Sequence, residues 1–260
     1  MRHYSKKINN LKKIPILKWL VIFLKSLKRK HGILSTIREF MQYSNDWRQY
    51  RNLKNNDNLS NDTSDLFPRL FDKTQTTDID PVYYLQGTWC AKNIFRKRPG
   101  RHYDIGSQVF MVGIISQFIP TTMVDIRPLS VSLPELSFIE GSILNLPFKN
   151  EEIDSLSSIC VIEHIGLGRY GDTLDQFGTE KAATELSRVL AIDGRLYISV
   201  PIDSKNVTYF NAHRAFTREY VLELFKELTL IEEKYMYGKD VYDKYDKSKG
   251  FGTGLFIFKK

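Results

Sequence analysis

Residues 102–128, HYDIGSQVFMVGIISQFIPTTMVDIRP, carry the reading on which the rest of the chain hangs. They run as strand, glycine turn, helix, second strand and acidic residue. His102–Ile105 is short and leads into Gly106, which takes the backbone angles of a tight turn without steric cost. Gln108–Phe118 sets Val109, Val112, Ile115 and Ile119 near helical spacing and predicts a well-buried helix. Thr121–Ile126 is a second β-rich run, and it carries Asp125. In open α/β sheets, ligands lie beyond the carboxyl ends of the strands. An acid at the tip of the second strand there accepts hydrogen bonds from a ribose diol. Asp125 lies 19 residues after Gly106, near the spacing of about 20 that such a unit needs. Ser107, Gln108 and Phe110 stand where a full glycine fingerprint would carry further glycines.

Downstream, strands and helices continue to alternate. Leu136–Glu140 reads as a third strand, followed by Gly141 and Ser142. Ile153–Cys160 is a fourth, and Val161–Asp172, VIEHIGLGRYGD, a glycine-bearing loop. Thr179–Leu190 is a helix with Ala183, Leu186, Val189 and Leu190 on one face. Asp193 and Gly194 turn it into a fifth strand, Arg195–Val200, closed by Pro201. Thr217 is placed to cap a helix carrying Val221, Leu222, Phe225 and Leu228. Leu230–Tyr237 and Gly254–Phe258 form a last antiparallel pair, joined through Tyr242–Gly250 as a mobile charged connector. The expected fold is α/β: a doubly wound, mostly parallel sheet with a C-terminal antiparallel hairpin strand.

Upstream, Pro81–Phe95 reads as an aromatic-rich helix or lid whose aromatics belong to the core. Asn55–Asp65 holds four Asn and three Asp, a composition that buries nothing and marks a linker. The chain therefore divides into a helical extension (1–54), a polar linker (55–65) and an α/β domain (66–260). Arg38–Asn52 is a second helix of the extension. Ile14–Leu24 contains Lys18 and is shorter than the roughly 20 apolar residues of a spanning helix. The following LKSLKRKHG lacks a small-residue cleavage site. Ile16, Leu20, Phe23, Leu24 and Leu27 share one helical face, with Lys18, Lys25, Lys28 and Arg29 elsewhere. Residues 12–30 are thus expected to touch an anionic membrane surface peripherally, or to pack on the domain with a basic rim.

The net charge of +8 is concentrated at the N-terminus: residues 1–60 hold 14 Lys and Arg against 3 Asp and Glu. A basic surface spread over the whole molecule, as nucleic-acid binders carry, is not indicated. Two cysteines give neither a disulfide framework nor a cysteine-based zinc site and fit a reducing cytoplasm. The histidines are scattered, without HxxxH spacing, so no metal site is expected. There is no GxSxG elbow and no P-loop.

From Arg101 to Lys260 the order of features resembles class I S-adenosylmethionine-dependent methyltransferases. DIGS is similar to the start of that family's first motif and VDIRP to its second-strand acid. GSILNLPFKNEEIDSLSSICVIEHI resembles the run through its third and fourth strands, and LSRVLAIDGRLYISVP its helix, turn and fifth strand. EHIGLGRYGD, NAHRAFT and GTGLFIF together resemble a bacterial methyltransferase-like family associated with surface-polysaccharide gene clusters.

The resemblance implies a Rossmann-like fold, S-adenosyl-L-methionine as cofactor and a small-molecule or glycan-linked acceptor. Asp104, Gly106 and Ser107 would then lie beside the amino-acid end of the cofactor, and Asp125 and Ile126 beside its ribose. Ser142 and Ile143 would lie at the adenine edge, with Ser158 also in contact with the cofactor. Glu163 and His164 would face the methyl group, with His164 as general base and His213 as second choice. Arg169, Tyr170, Asp172 and Arg214 would bind the acceptor. Two other readings stand beside this one. The first is a catalytically inactive methyltransferase-like binding or assembly protein held at a membrane surface by its basic helix. The second is a nicotinamide-dependent oxidoreductase, which Gln108 and Met111 disfavour by standing where glycines are needed.

Overall fold

The computed structural model describes residues 32–54, 56, 58–60 and 62–260. The expected basic helix at 12–30 lies outside them. The chain divides into two compact units, Met1–Asp78 and Ile79–Lys260. In the first, helix α1 spans Ile33–Arg51 and begins five residues earlier than the expected Arg38. The Gly32 carbonyl accepts from both Ser35 and Thr36 hydroxyls (2.6 and 3.2 Å), which anchors that start. Among the described residues, no helix is long and apolar enough to cross a membrane.

The second unit opens with α2, Pro81–Lys97. Asp80 caps it by accepting from the Val82 and Tyr83 amides (2.9 and 3.2 Å), and Pro81 takes the first position, where its missing N–H costs nothing. Gln86, Cys90, Asn93 and Ile94 form its buried stripe. Tyr83, Tyr84 and Phe95 are exposed, contrary to the core position expected for the helix's aromatics; only Trp89 packs inward. The aromatics fall off the stripe because the short polar and aliphatic residues occupy it.

The strands are β1 (His102–Ile105), β2 (Thr121–Asp125), β3 (Leu136–Glu140), β4 (Ile153–Ile159) and β5 (Leu190–Ile202), with helix α3 (Val109–Ile115) between β1 and β2 and α4 (Gly178–Val189) before β5. Beyond them come β6 (Val207–Tyr209), β7 (His213–Ala215), α5 (Arg218–Leu224), β8 (Thr229–Tyr237), β9 (Asp240–Tyr242) and β10 (Gly252–Lys259). Eight strands form one sheet in the order β3-β2-β1-β4-β5-β10-β8-β9. The first five run parallel; β10 is antiparallel to β5 and β8, and β9 to β8. The expected mostly parallel sheet with a late antiparallel pair is present.

Side chains alternate across this sheet, and each face has its own core. Phe256 and Phe258 of β10 join Ala182, Leu186, Val189 and Val221 of α4 and α5. Ile257, between them in sequence, joins Cys90 and Ile94 of α2 and Met111, Val112 and Ile115 of α3. Within α3, Val109 and Phe110 are exposed, against the expectation of burial for Val109. The Gln108 side chain caps the Met111 amide (3.2 Å), so the helix starts one residue later and turns its first two residues outward.

Three further expectations are corrected. The fifth strand is continuous from Leu190 through the Asp193–Gly194 irregularity, and Pro201 does not close it. Pairing with β4 ends at Ser199, so no β4 carbonyl needs the N–H that Pro201 lacks. Residues 242–250 are tied down: the Tyr245 hydroxyl donates to the Asp203 carbonyl (2.6 Å) and the Asp246 amide to the Tyr237 hydroxyl (3.1 Å). The β6–β7 hairpin and edge strand β9 were not expected.

Candidate active site

Strand order reverses between β1 and β4, with β2 and β3 on one side and β5 on the other. Loops leaving the carboxyl ends diverge at such a point and open a crevice. A cleft opens here at the carboxyl ends of the strands. It is lined by the turn after β1, the tip of β2, Gly141–Leu144 after β3, and Cys160, Val161, His164 and Ile165 after β4, with Tyr170 and Asp172.

Gly106 has φ +70°, and its amide donates to the Val124 carbonyl (2.9 Å). A Cβ there would meet Val161 Cγ1 at 3.1 Å, so glycine both permits the angle and spares the contact. Asp125 ends β2 nearly buried, at 8% exposure. Its Oδ1 accepts from the Arg127 amide (2.9 Å) and Nε (3.3 Å). Its Oδ2 has no partner among the described residues. Ile126, Ile143 and Leu144 add an apolar side, and the Ser142 hydroxyl accepts from the Leu144 amide (3.2 Å) to hold that turn.

His164 ends a short 3-10 turn, Ile162–His164. Its Nδ1 lies 2.7 Å from the Ala212 carbonyl. A carbonyl only accepts, so Nδ1 carries the hydrogen and Nε2 the lone pair. Burial lowers the imidazole pKa to about 4 and keeps it neutral. Glu163, 1% exposed, places Oε1 3.7 Å from His164 Nε2, while its Oε2 is buried without a partner. Burial raises its pKa to about 8, so this carboxyl is protonated at neutral pH.

The glycine loop is built around Asp172. Its Oδ2 accepts from the Gly166 and Gly168 amides (2.6 and 3.4 Å) and its Oδ1 from the Tyr170 amide (3.3 Å). Gly166 has φ +81°, and a Cβ would fall 2.1 Å from the Asp175 carbonyl oxygen. Tyr170, at the mouth, meets the Arg127 guanidinium at 4.7 Å, that of Arg169 at 5.2 Å and the His164 ring edge-on at 5.6 Å.

Of the residues singled out from sequence, Gly106, Asp125, Ile126, Ser142, Ile143, His164, Tyr170 and Asp172 line the cleft. Seven others do not. Asp104 is fully buried; its Oδ1 accepts from the Ser107 amide (3.0 Å) and its Oδ2 from the Ser157 hydroxyl. Ser107 accepts from the Ile159 amide (2.9 Å), and Ser158 donates to the Ile105 carbonyl (3.2 Å), so both fasten β1 to β4. Glu163 is sealed behind His164. Arg214 is 8% exposed and donates to the Ile165, Asp175 and Gln176 carbonyls and to the Thr179 hydroxyl (2.6, 3.0, 3.4 and 3.1 Å). Its guanidinium is occupied by the protein and unavailable to an acceptor. Asp172 reaches the cleft but uses both oxygens on backbone amides. Arg169 and His213 stand outside the cleft lining.

Arg127 folds back on Asp125 from two positions along, a pairing open to a strand-end acid from the sequence, whereas the place of Cys160 in the lining was not anticipated. The Cys160 thiol donates to Gln86 Oε1 (3.2 Å), a partner 74 residues away that no local pattern announces.

A family model described as "Caenorhabditis protein of unknown function, DUF268" matches residues 142–235, well under half of the chain. No curated protein matches it. Among solved structures, the N-methyltransferase NodS from Bradyrhizobium japonicum WM9, in complex with S-adenosyl-L-homocysteine, superposes with a TM-score of 0.51 at 15% identity, over 70% of this chain and 88% of that one. The [4+2]-cyclase SpnF gives 0.51 at 11% identity, over 67% and 81%. The molecule therefore has the Rossmann-like methyltransferase fold.

Proposed function

We propose that the protein is an S-adenosylmethionine-dependent methyltransferase acting on a small polar or glycan-linked acceptor. The observation that carries this reading is Asp125: a nearly buried carboxylate at the tip of β2 with Oδ2 unpartnered, beside the apolar Ile126, Ile143 and Leu144. A lone acceptor next to an apolar slot suits a ribose diol joined to a flat base. Gly106 leaves bare backbone at the β1 turn, where a charged amino-acid end can approach. These residues fit the cofactor, which when bound supplies a sulfonium methyl group.

The chain's own contribution is to align the acceptor and manage its proton. His164 is held by the Ala212 carbonyl with its lone pair on Nε2. Burial keeps the ring neutral and that lone pair open at neutral pH, at a cost in basicity. Calorimetry with S-adenosylhomocysteine tests the reading. Binding heat and thermal stabilisation are expected; neither at millimolar ligand would overturn it.

The second reading is binding or assembly without methyl transfer. The low basicity of His164 favours it. Transfer of a labelled methyl group to any acceptor in a cell extract decides against it. The preponderance of basic residues before residue 60 supports peripheral membrane contact through residues 12–30. Equal sedimentation with neutral and anionic vesicles would refute that contact.

A further inference from the structure

Arg169 lies just outside the cleft and has no carboxylate partner among the described residues. Nη1 donates to the Ala212 carbonyl at 3.0 Å, and the guanidinium lies 5.2 Å from the Tyr170 ring centre. A guanidinium has five N–H donors, so most of its donor capacity is unspent. The same Ala212 oxygen holds His164 Nδ1 at 2.7 Å. The free cation is therefore tied to the same atom as the side chain nearest to acting as base.

A line of rings runs outward from that point. His164 meets His213 at 6.5 Å, and His213 meets Tyr209 at 5.2 Å and Phe251 at 5.6 Å. Tyr209 and Phe251 are exposed, at 43% and 53%. Such ring faces take up the apolar faces of sugars and planar molecules. No carboxylate pairs directly with Arg169 among the described residues: Asp172 keeps its charge beside His164 but spends both oxygens on backbone amides, Asp125 is paired with Arg127, and Glu163 is sealed and protonated. The charge on Arg169 opposes protonation of both His164 and His213, behind the larger effect of their burial.

We propose, building on the methyltransferase reading, that the acceptor is an anion borne on a ring, with its charge held by Arg169 and its ring on the His213–Tyr209–Phe251 wall. Carboxylate and phosphate both satisfy the fork of a guanidinium. The acceptor class is thus an acidic sugar or a sugar phosphate, and a neutral sugar binds poorly. Arg214, four oxygens deep in its own loop, cannot take this role.

The test is NMR of the full chain with labelled arginine and histidine side chains, titrated with glucuronate, glucose 6-phosphate and glucose, each with and without saturating S-adenosylhomocysteine. Glucuronate or glucose 6-phosphate is expected to shift the Arg169 Nε and His213 ring signals, and glucose to leave them in place. The more effective of the two anions tells carboxylate from phosphate. R169Q should weaken anion binding about tenfold, the worth of a charge-assisted pair, and R169K should retain part of it. Anions that shift neither signal, or that bind R169Q as well as the parent, would overturn the proposal. A protein that binds glucuronate but not S-adenosylhomocysteine would keep the anion subsite and remove the methyltransferase reading.

Discussion

Asp104 and Asp125 sit near the carboxyl ends of adjacent parallel strands, with Asp104 in register opposite Met123. Read along the chain, both are acids at the tip of a β-run and both point to a ligand. Asp104 instead turns into a seam between β1 and β4. It takes the Ser107 amide and the Ser157 hydroxyl, while Ser157 and Ser155 also hold the two ring nitrogens of His102 (2.9 and 2.8 Å). Burial raises Asp104 to about 6 and lowers His102 to about 3. Asp125 opens to the cleft and keeps one oxygen free. A buried polar group needs partners and becomes structural when it finds them; a group left wanting one at a crevice is available to a ligand.

The contrast can be broken most directly at the seam. Asp104→Ala strips partners from a buried amide and hydroxyl and should cost about 3 kcal/mol in urea unfolding. A loss below about 1 kcal/mol would show that the seam is not a structural clamp. Next in size, Asp125→Ala should weaken S-adenosylhomocysteine about a hundredfold by calorimetry. Its stability should stay within about 1 kcal/mol of the parent. An unchanged affinity would remove Asp125 from the site.

The third test uses pH. Glu163 ionises near 4.5 when unfolded but near 8 when folded. The stability tied to its protonated form is complete below pH 4.5 and is lost as pH rises through about 8. The neutral burial of His102 and His164 works the other way, but only below their ordinary value of 6.5. Between about pH 6.5 and 8, Glu163 alone of these four buried groups still titrates. The parent should lose about 2 kcal/mol over that window, and E163Q should stay flat. Equal slopes in both proteins would mean that the carboxyl is solvated. The smallest effect is expected from Gly106→Ala. Forcing a side chain into φ +70°, 3.1 Å from Val161, should cost about 1 kcal/mol, read as a shift in the urea midpoint.

Much of the fold was legible because its signals are local. Asp80–Pro81 and Thr217 cap helices with their own neighbours, and Gly106 turns the chain by its own backbone angle. The period of two along β10 separates Ile257 from Phe256 and Phe258. The parallel order then gathers the strand tips, which is why Gly106, Asp125, Ser142 and His164 meet although they are far apart in sequence. Short pairings such as β6–β7 and β9 leave too few residues for a pattern.

The fate of the arginines was not legible. Arg214 and Arg169 both follow glycine- or histidine-bearing motifs and look equally suited to an acceptor. Arg214 is drawn into the loop by oxygens 35 to 49 residues away, whereas Arg169 finds only one carbonyl, 43 residues away. The first five strands and the helices among them, the turn at Gly106 and the acid at Asp125 follow from the sequence by itself, since residue type and spacing set local geometry. Whether a polar side chain faces the cleft or the seam was decided only in the tertiary structure, because that depends on which distant donors and acceptors reach it first.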